Sequence, residues 1–194
     1  MARKKDFDED ELLAKAAELF WRKGYNGTSA QDLVDCLNIN RSSLYNTYTD
    51  KRTLFKKSLS LYQTRETGAM LSMLAKATNP EATVKQIFEG LIKESVEDLL
   101  LKGCFMVNTA VELAGQDKEI GDMVNNNNLS VEDALTKLIE NGQQQGQFNT
   151  QKTARKLARF VFANITGIKV AARTGAGEQT LRDIADVAVA ALKN

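Results

Sequence analysis

Thr28–Phe55 reads TSAQDLVDCLNINRSSLYNTYTDKRTLF, and this stretch decides the fold. The Thr28 hydroxyl is set to cap a helix, with Gln31, three residues on, reaching back as the second half of a capping box. The helix it opens turns Leu33, Val34 and Leu37 inward. Asn38 falls where the chain must turn through positive φ, which asparagine tolerates well for a residue with a side chain. Ile39 re-enters the core, and Asn40 caps a third helix running from about Asn40 to Thr47. Two turns of helix do not persist alone in water, so Leu44 and Tyr48, four residues apart, must anchor this one to its neighbours. The opposite face then carries only polar side chains: Arg41, Ser42, Tyr45 and Asn46. Arginine can grip guanine bidentately, asparagine can do the same to adenine, and serine or tyrosine hydroxyls can bind phosphate, so the face suits a DNA major groove.

Working outward, an amphipathic helix is predicted from about Asp8 to Lys23, with Leu12, Leu13, Ala16, Leu19 and Phe20 as its apolar stripe and Gly24 as its end. A fourth helix starts at Thr49 or Asp50 and runs to about Lys76. Pro80 marks a break, and Val84, Ile87, Phe88, Leu91, Ile92, Val96, Leu99 and Leu100 then predict a helix from Thr83 to Lys102 closed by Gly103. Cys104 to Ala114 is short and apolar on most sides, which implies burial within the body. The helix from about Lys118 to Gln144 is expected to kink or open at Asn125 to Asn128, since asparagine is a poor helix former and the stripe calls for an apolar residue near Asn127. Two last helices, about Thr150 to Arg173 and Gln179 to Lys193, are separated by Gly175 and Gly177. Ala154, Ala158, Val161, Ile165, Ile168 and Ala172 make a seam along the first, and Leu181, Ile184, Ala188 and Leu192 continue it on the second. The expected fold is therefore all-α, with a three-helix helix-turn-helix domain over residues 1–60 and a larger helical domain over 61–194.

Composition narrows the function. Among 194 residues there is one proline, Pro80, and there are no alternating strand-like runs. No apolar run approaches a membrane span, and the start (Asp6, Asp8, Glu9, Asp10) is unlike a signal peptide, so a cytoplasmic protein is expected. With no histidine, no Gly-rich phosphate loop, and only Cys36 and Cys104 far apart, no metal site, cofactor site or nucleophile with its base is assembled; an enzyme is not expected. The net charge is only +1, but Ile39 to Lys57 holds five cations (Arg41, Lys51, Arg52, Lys56, Lys57) against Asp50 alone. Lys51 and Arg52 in the first turn of a helix oppose its macrodipole, a cost that a bound phosphate would relieve. Thr28 is expected at the other edge of the groove's backbone.

The pattern Phe20-x3-Gly24-Tyr25-x2-Thr28-Ser29-x2-Asp32-Leu33, followed by Leu44-Tyr45-x2-Tyr48-x2-Lys51-x2-Leu54-Phe55, resembles the DNA-binding domain of TetR-family repressors over roughly the first 60 residues. The resemblance implies that Ser29 to Tyr48 is the helix-turn-helix, that Arg41, Ser42, Ser43, Tyr45, Asn46 and Thr47 enter or border the major groove, and that Tyr45 and Lys51 hold phosphates. Asn38 stands where the family usually has a turn glycine, Ser42 for a small residue, Thr47 for a common histidine and Arg52 for a frequent glutamate; the operator sequence is therefore not implied. Gly103 to Ala110 is similar to the centre of the regulatory domain in one branch of the family. The C-terminal seams resemble the helices through which family members form homodimers, which implies a near-palindromic double-stranded operator. A small-molecule effector is expected among Phe88, Leu91, Phe105, Met106 and Leu113, with polar contacts from Asn108 and Glu112. Cys104 at a helix start leaves a redox or electrophile sensor open as a second mechanism, and a basic helical adaptor for an acidic protein remains the non-DNA alternative.

Overall fold

The computed structural model describes residues 9–193. The described chain is built from α1 (Glu9–Lys23), α2 (Ala30–Leu37), α3 (Arg41–Tyr48), α4 (Lys51–Tyr62), a π-helical segment (Gln63–Thr67), α5 (Gly68–Ala75), α6 (Pro80–Glu97), α7 (Phe105–Leu113), α8 (Lys118–Gln144), α9 (Ala154–Arg173) and α10 (Glu178–Ala190). Asp8, where the first helix was expected to begin, lies outside the described residues, as does Asp6. The expected helix across residue 60 is continuous, but it passes through the five-residue π segment at Gln63–Thr67.

Local caps set the first three helices. Asn38 adopts φ 52° and ψ 42° as the C-cap of α2, and the Asn40 side chain accepts from the Ser43 N–H at the start of α3. The capping box lies one residue later than expected. Ser29 is the N-cap and Asp32 its partner: the Asp32 N–H donates to Ser29 Oγ at 3.0 Å, and the Ser29 N–H donates to Asp32 Oδ2 at 2.8 Å. Gln31 instead donates to Asp35.

Two further boundaries differ from expectation. The helix predicted to reach Lys102 stops at Glu97, because the Asp98 carboxylate accepts the N–H groups of Lys102 and Gly103 and folds the chain into a loop; Leu99 is left 91% exposed. Asn125 to Asn128 do not interrupt α8, which runs unbroken for 27 residues with Asn127 buried on its inner stripe. Neither is α7 wholly enclosed, since Val111 faces outward.

The apolar side chains form two cores. One joins the three N-terminal helices and α4 (Leu12, Phe20, Leu33, Leu44, Leu54, Phe55) to Phe105, Leu113, Ile120 and Val124 of α7 and α8. The other fills the body, with Phe88 and Ile92 of α6, Leu135 and Ile139 of α8, Val161 and Ile165 of α9, and Leu181 of α10. Phe55 links head and body directly, standing edge-on to Phe20 and Tyr25 at 5.1 Å each and to Phe105 at 5.5 Å.

Candidate nucleic-acid interface

The geometry of α3 follows from its two anchors. Leu44 and Tyr48 are 1% and 2% exposed, which fixes the rotation of the helix about its axis. Arg41, Ser42 and Asn46 are then exposed on the far side, with Ser43, Tyr45 and Thr47 half-buried at its flanks. The face expected to be polar and outward is therefore polar and outward. Ser29 is exposed beside it, its hydroxyl engaged with Asp32.

Thr28 and Lys51 sit differently from expectation. Thr28 is fully buried and its hydroxyl donates to the Gly24 carbonyl at 2.6 Å, so its side chain is closed to a phosphate. Lys51 Nζ donates to the Tyr25 and Thr28 carbonyls at 3.0 and 2.9 Å and lies 4.2 Å over the Tyr25 ring. Those contacts, with Asp50 capping α4 through the Thr53 N–H, compensate the charge at the helix start without an external anion. Arg52 is also paired: Nε and Nη2 grip Asp117 at 2.7 and 2.9 Å, and Nη2 reaches Glu119 at 2.8 Å. Lys56 binds Glu119 as well. Of the five cations between Ile39 and Lys57, two thus fasten the head to the body and one holds the Tyr25–Thr28 turn.

These pairings make a clamp that sequence spacing alone did not reveal. Glu112 on α7 accepts the backbone N–H groups of Tyr25 and Asn26 at 3.0 and 2.7 Å, at the turn between α1 and α2. Trp21 Nε1 donates to the Gly103 carbonyl at 3.1 Å, and Lys102 pairs with Glu18. The Arg52 hydrogen bond lowers the Asp117 carboxyl to about 2, and Lys56, followed by Arg52, lowers Glu119. The one available signal was charge complementarity between Arg52/Lys56 and the acidic start of α8.

The residues expected around an effector, Cys104 among them, do not form one cluster. Phe88 is buried in the body core with Leu91 packed against it, while Cys104 and Phe105 belong to the core shared with the head. Asn108 Nδ2 donates to the Lys102 carbonyl at 2.9 Å, and Glu112 is engaged with the head. Cys104 is 7% exposed, and its sulfur accepts the Tyr62 hydroxyl at 3.5 Å; burial pushes the Tyr62 hydroxyl's pKa well up. The predicted seams of α9 and α10 also turn inward: Ala158, Val161, Ile168, Leu181 and Ala188 are in the body core. The outer face of the pair carries a second stripe, with Phe160 and Val170 at 40% and 46% exposure, Ala163 and Gly167 between them, and Val187 of α10 at 67%. Among the described residues, no helix is long and apolar enough to cross a membrane, and no group of three or more His, Cys, Asp or Glu is placed to hold a metal.

A tri-helical head that turns a short polar-faced helix outward, carried on a helical body, defines a helix-turn-helix transcriptional regulator. Two family patterns match the chain: "Bacterial regulatory proteins, tetR family" over residues 12–57, and "Tetracyclin repressor-like, C-terminal domain" over residues 80–188. The chain is 30% identical to the uncharacterized HTH-type transcriptional regulator YezE of Bacillus subtilis (strain 168), covering 99% of this chain and 100% of that protein. It is 29% identical to the HTH-type transcriptional repressor ComR of Escherichia coli (strain K12), over 94% and 88% of the two chains. It belongs to the TetR family of DNA-binding transcriptional regulators. The fold matches that of a cysteine mutant of the TetR-family regulator CifR complexed with 26-base-pair operator DNA (TM-score 0.87, 21% identity, 98% of this chain and 100% of that one). It also matches the reduced form of E. coli NemR (TM-score 0.82, 15% identity, 92% and 93%).

Proposed function

We propose that this chain is a homodimeric repressor that binds a near-palindromic operator through α3 and leaves it when a small molecule occupies the body, the two functions dividing at about residue 60. The carrying observation is the rotation of α3: with Leu44 and Tyr48 buried, Arg41, Ser42 and Asn46 project together from the surface. Arg41 and Asn46 are assigned to base edges; Ser29, Ser42, Ser43, Tyr45 and Thr47 are assigned to the phosphates that flank them. Lys51 is assigned a supporting role, holding the Tyr25–Thr28 turn while its third N–H remains for a phosphate. One such helix makes too small an interface for specific binding, so two copies are needed, and the outer stripe of α9 and α10 is the surface assigned to their pairing. In a cytoplasmic regulator of this design the chain needs no cofactor and carries out no catalysis. Phe160, Val170 and Val187 are apolar, large and exposed, which supports that surface over the buried seams.

Selection of bound duplexes from a random pool tests the reading. A palindromic consensus should emerge, and Arg41→Ala or Asn46→Ala should each weaken binding to it by roughly 5- to 150-fold, about 1–3 kcal/mol per lost base contact. Retention of any anionic polymer with equal affinity, or no loss in either variant, would favour the adaptor alternative.

A further inference from the structure

Ser58, Thr109 and Asn127 are 0%, 1% and 4% exposed, and each has a side-chain oxygen without a hydrogen-bond partner. Buried polar groups in folded proteins are nearly always satisfied. Helical serines and threonines elsewhere in this chain manage it by donating to the carbonyl four residues back, as Thr136 does to Glu132 and Ser130 to Asn126. Ser58 and Thr109 do not.

All three lie on helices that contribute to the core shared by head and body, α4, α7 and α8. Phe55 and Tyr62 of α4 both stand edge-on to Phe105, at 5.5 and 5.6 Å, and Ser58 is on α4 between them. Thr109 is one turn beyond Phe105 on α7. The antiparallel register of α7 and α8 is set where Gly121 meets the Ala114 carbonyl, so close that a Cβ would approach it to 2.8 Å. Five residues back from Ala114 is Thr109 and five on from Gly121 is Asn126, the neighbour of Asn127. Asn127 in turn sits on the inner stripe between Val124, in the core shared with the head, and Val131, in the body core. The two cores meet there, and the π segment packs against α8.

We infer that the effector is a small, uncharged, predominantly apolar molecule with a hydrogen-bond donor, held by Ser58, Thr109 and Asn127 beside Phe105. This rests on the effector-responsive repressor proposed above. The Asn127 oxygen takes the donor, and the two hydroxyls donate or accept as the ligand requires. No charged side chain is buried among the described residues, so an ionised ligand would lose its hydration with no counter-charge in return. An occupant displaces Phe105, which touches Phe55, which in turn touches Phe20 and Tyr25 beneath the head. Binding that favours the displaced arrangement shifts the population away from the DNA-binding one.

Phenol, toluene and benzoate have similar size and differ in the feature that matters. Titrated into the full-length protein by calorimetry, phenol should bind saturably with a Kd at least tenfold below that of toluene, and benzoate should not bind. Asn127→Leu, which restores an apolar stripe to α8, should bring phenol and toluene to equal affinity; Thr109→Val, nearly isosteric, carries the same comparison should the leucine variant fail to fold. The inference is overturned if benzoate binds like phenol, if neither variant narrows the phenol–toluene ratio, or if none of the three binds, as when the site holds ordered water only. Binding of the selected duplex is measured alongside. Specific duplex binding with failed probes removes the effector class and leaves the repressor reading standing, whereas no specific duplex removes that reading itself.

Discussion

Glu112 is separated from the tip of the head by more than 80 residues of chain, yet its two carboxylate oxygens take the N–H groups of Tyr25 and Asn26. Gly24 makes this possible: its φ is 78°, and a Cβ there would come within 2.8 Å of Glu112 Oε2. Glu112→Ala should lower the urea midpoint by the equivalent of about 1–2 kcal/mol, with Glu112→Gln intermediate because it keeps one good acceptor; an alanine variant as stable as the parent would show that these bonds contribute nothing net. The two thiols should also part company. Cys36 is exposed and Cys104 buried, so a chromogenic disulfide reagent should consume one thiol quickly and the second only as fast as the protein opens. Rapid reaction of both would mean that Cys104 is reachable in the folded state and would revive the thiol-sensor alternative. The contrast between Asn38 or Asn40 and Glu112 shows what a sequence makes legible. The first two act within three residues of themselves, where backbone chemistry alone determines the role. Thr28 looked like a phosphate ligand for want of its true partner, the Gly24 carbonyl, and nothing in the sequence pattern announced the Tyr25 and Thr28 carbonyls that the folded turn brings to Lys51.

At the level of helices, periodicity located all but the ends. The stripe of α6 continues in sequence through Leu99 and Leu100, and nothing in that pattern warns that Asp98 will accept the Lys102 and Gly103 N–H groups and stop the helix. Asn125 to Asn128 mislead in the opposite direction. Intrinsic propensity disfavours them by tenths of a kcal/mol each, while α8 is held by burial along Ile120, Val124, Val131, Leu135 and Ile139, and packing outweighs propensity. The far end of α8 offers a sharper test of that ordering. Replacing a mid-helix glycine by alanine ordinarily stabilises by up to about 1 kcal/mol. At Gly142, however, a Cβ would meet the Phe148 ring at 2.2 and 2.5 Å and Pro80 at 3.1 Å, and Phe148 is itself buried. Gly142→Ala should therefore destabilise by roughly 1–3 kcal/mol in urea unfolding, the cost of overpacking. A gain in stability would show that the α8–Phe148–Pro80 contact is loose and that propensity governs this turn.

For the whole molecule, the question is how head and body act as one unit, and how two such units meet. The seams of α9 and α10 looked like a dimer surface because helix-helix packing inside a subunit and between subunits has the same period; only burial separates them. Charging the outer stripe by Val170→Asp with Val187→Asp should yield a monomer by sedimentation with unchanged helical circular dichroism, and a persistent dimer would assign pairing to another surface. The head is joined to the body by Arg52 and Lys56 against Asp117 and Glu119, and that joint has a pH signature. Both carboxyls titrate below their ordinary values in the folded chain, Asp117 at about 2 against 3.8. A depressed folded value means that the clamp's contribution is fully present above the ordinary carboxylate range and is lost as pH falls from about 4 towards 2. At fixed protein concentration, the urea midpoint should therefore hold steady from neutrality to mildly acid pH and then decline, with the decline shallower in Asp117→Asn, whose amide has no proton to gain. Added salt should shrink the difference between the two proteins, because Arg52 is substantially exposed and its attraction to Asp117 is screened. Parallel acid limbs in parent and variant would mean that Asp117 adds nothing to the joint and that its other contacts, among them Glu119, the Glu112 hydrogen bonds and the Phe55–Phe105 contact, hold the head.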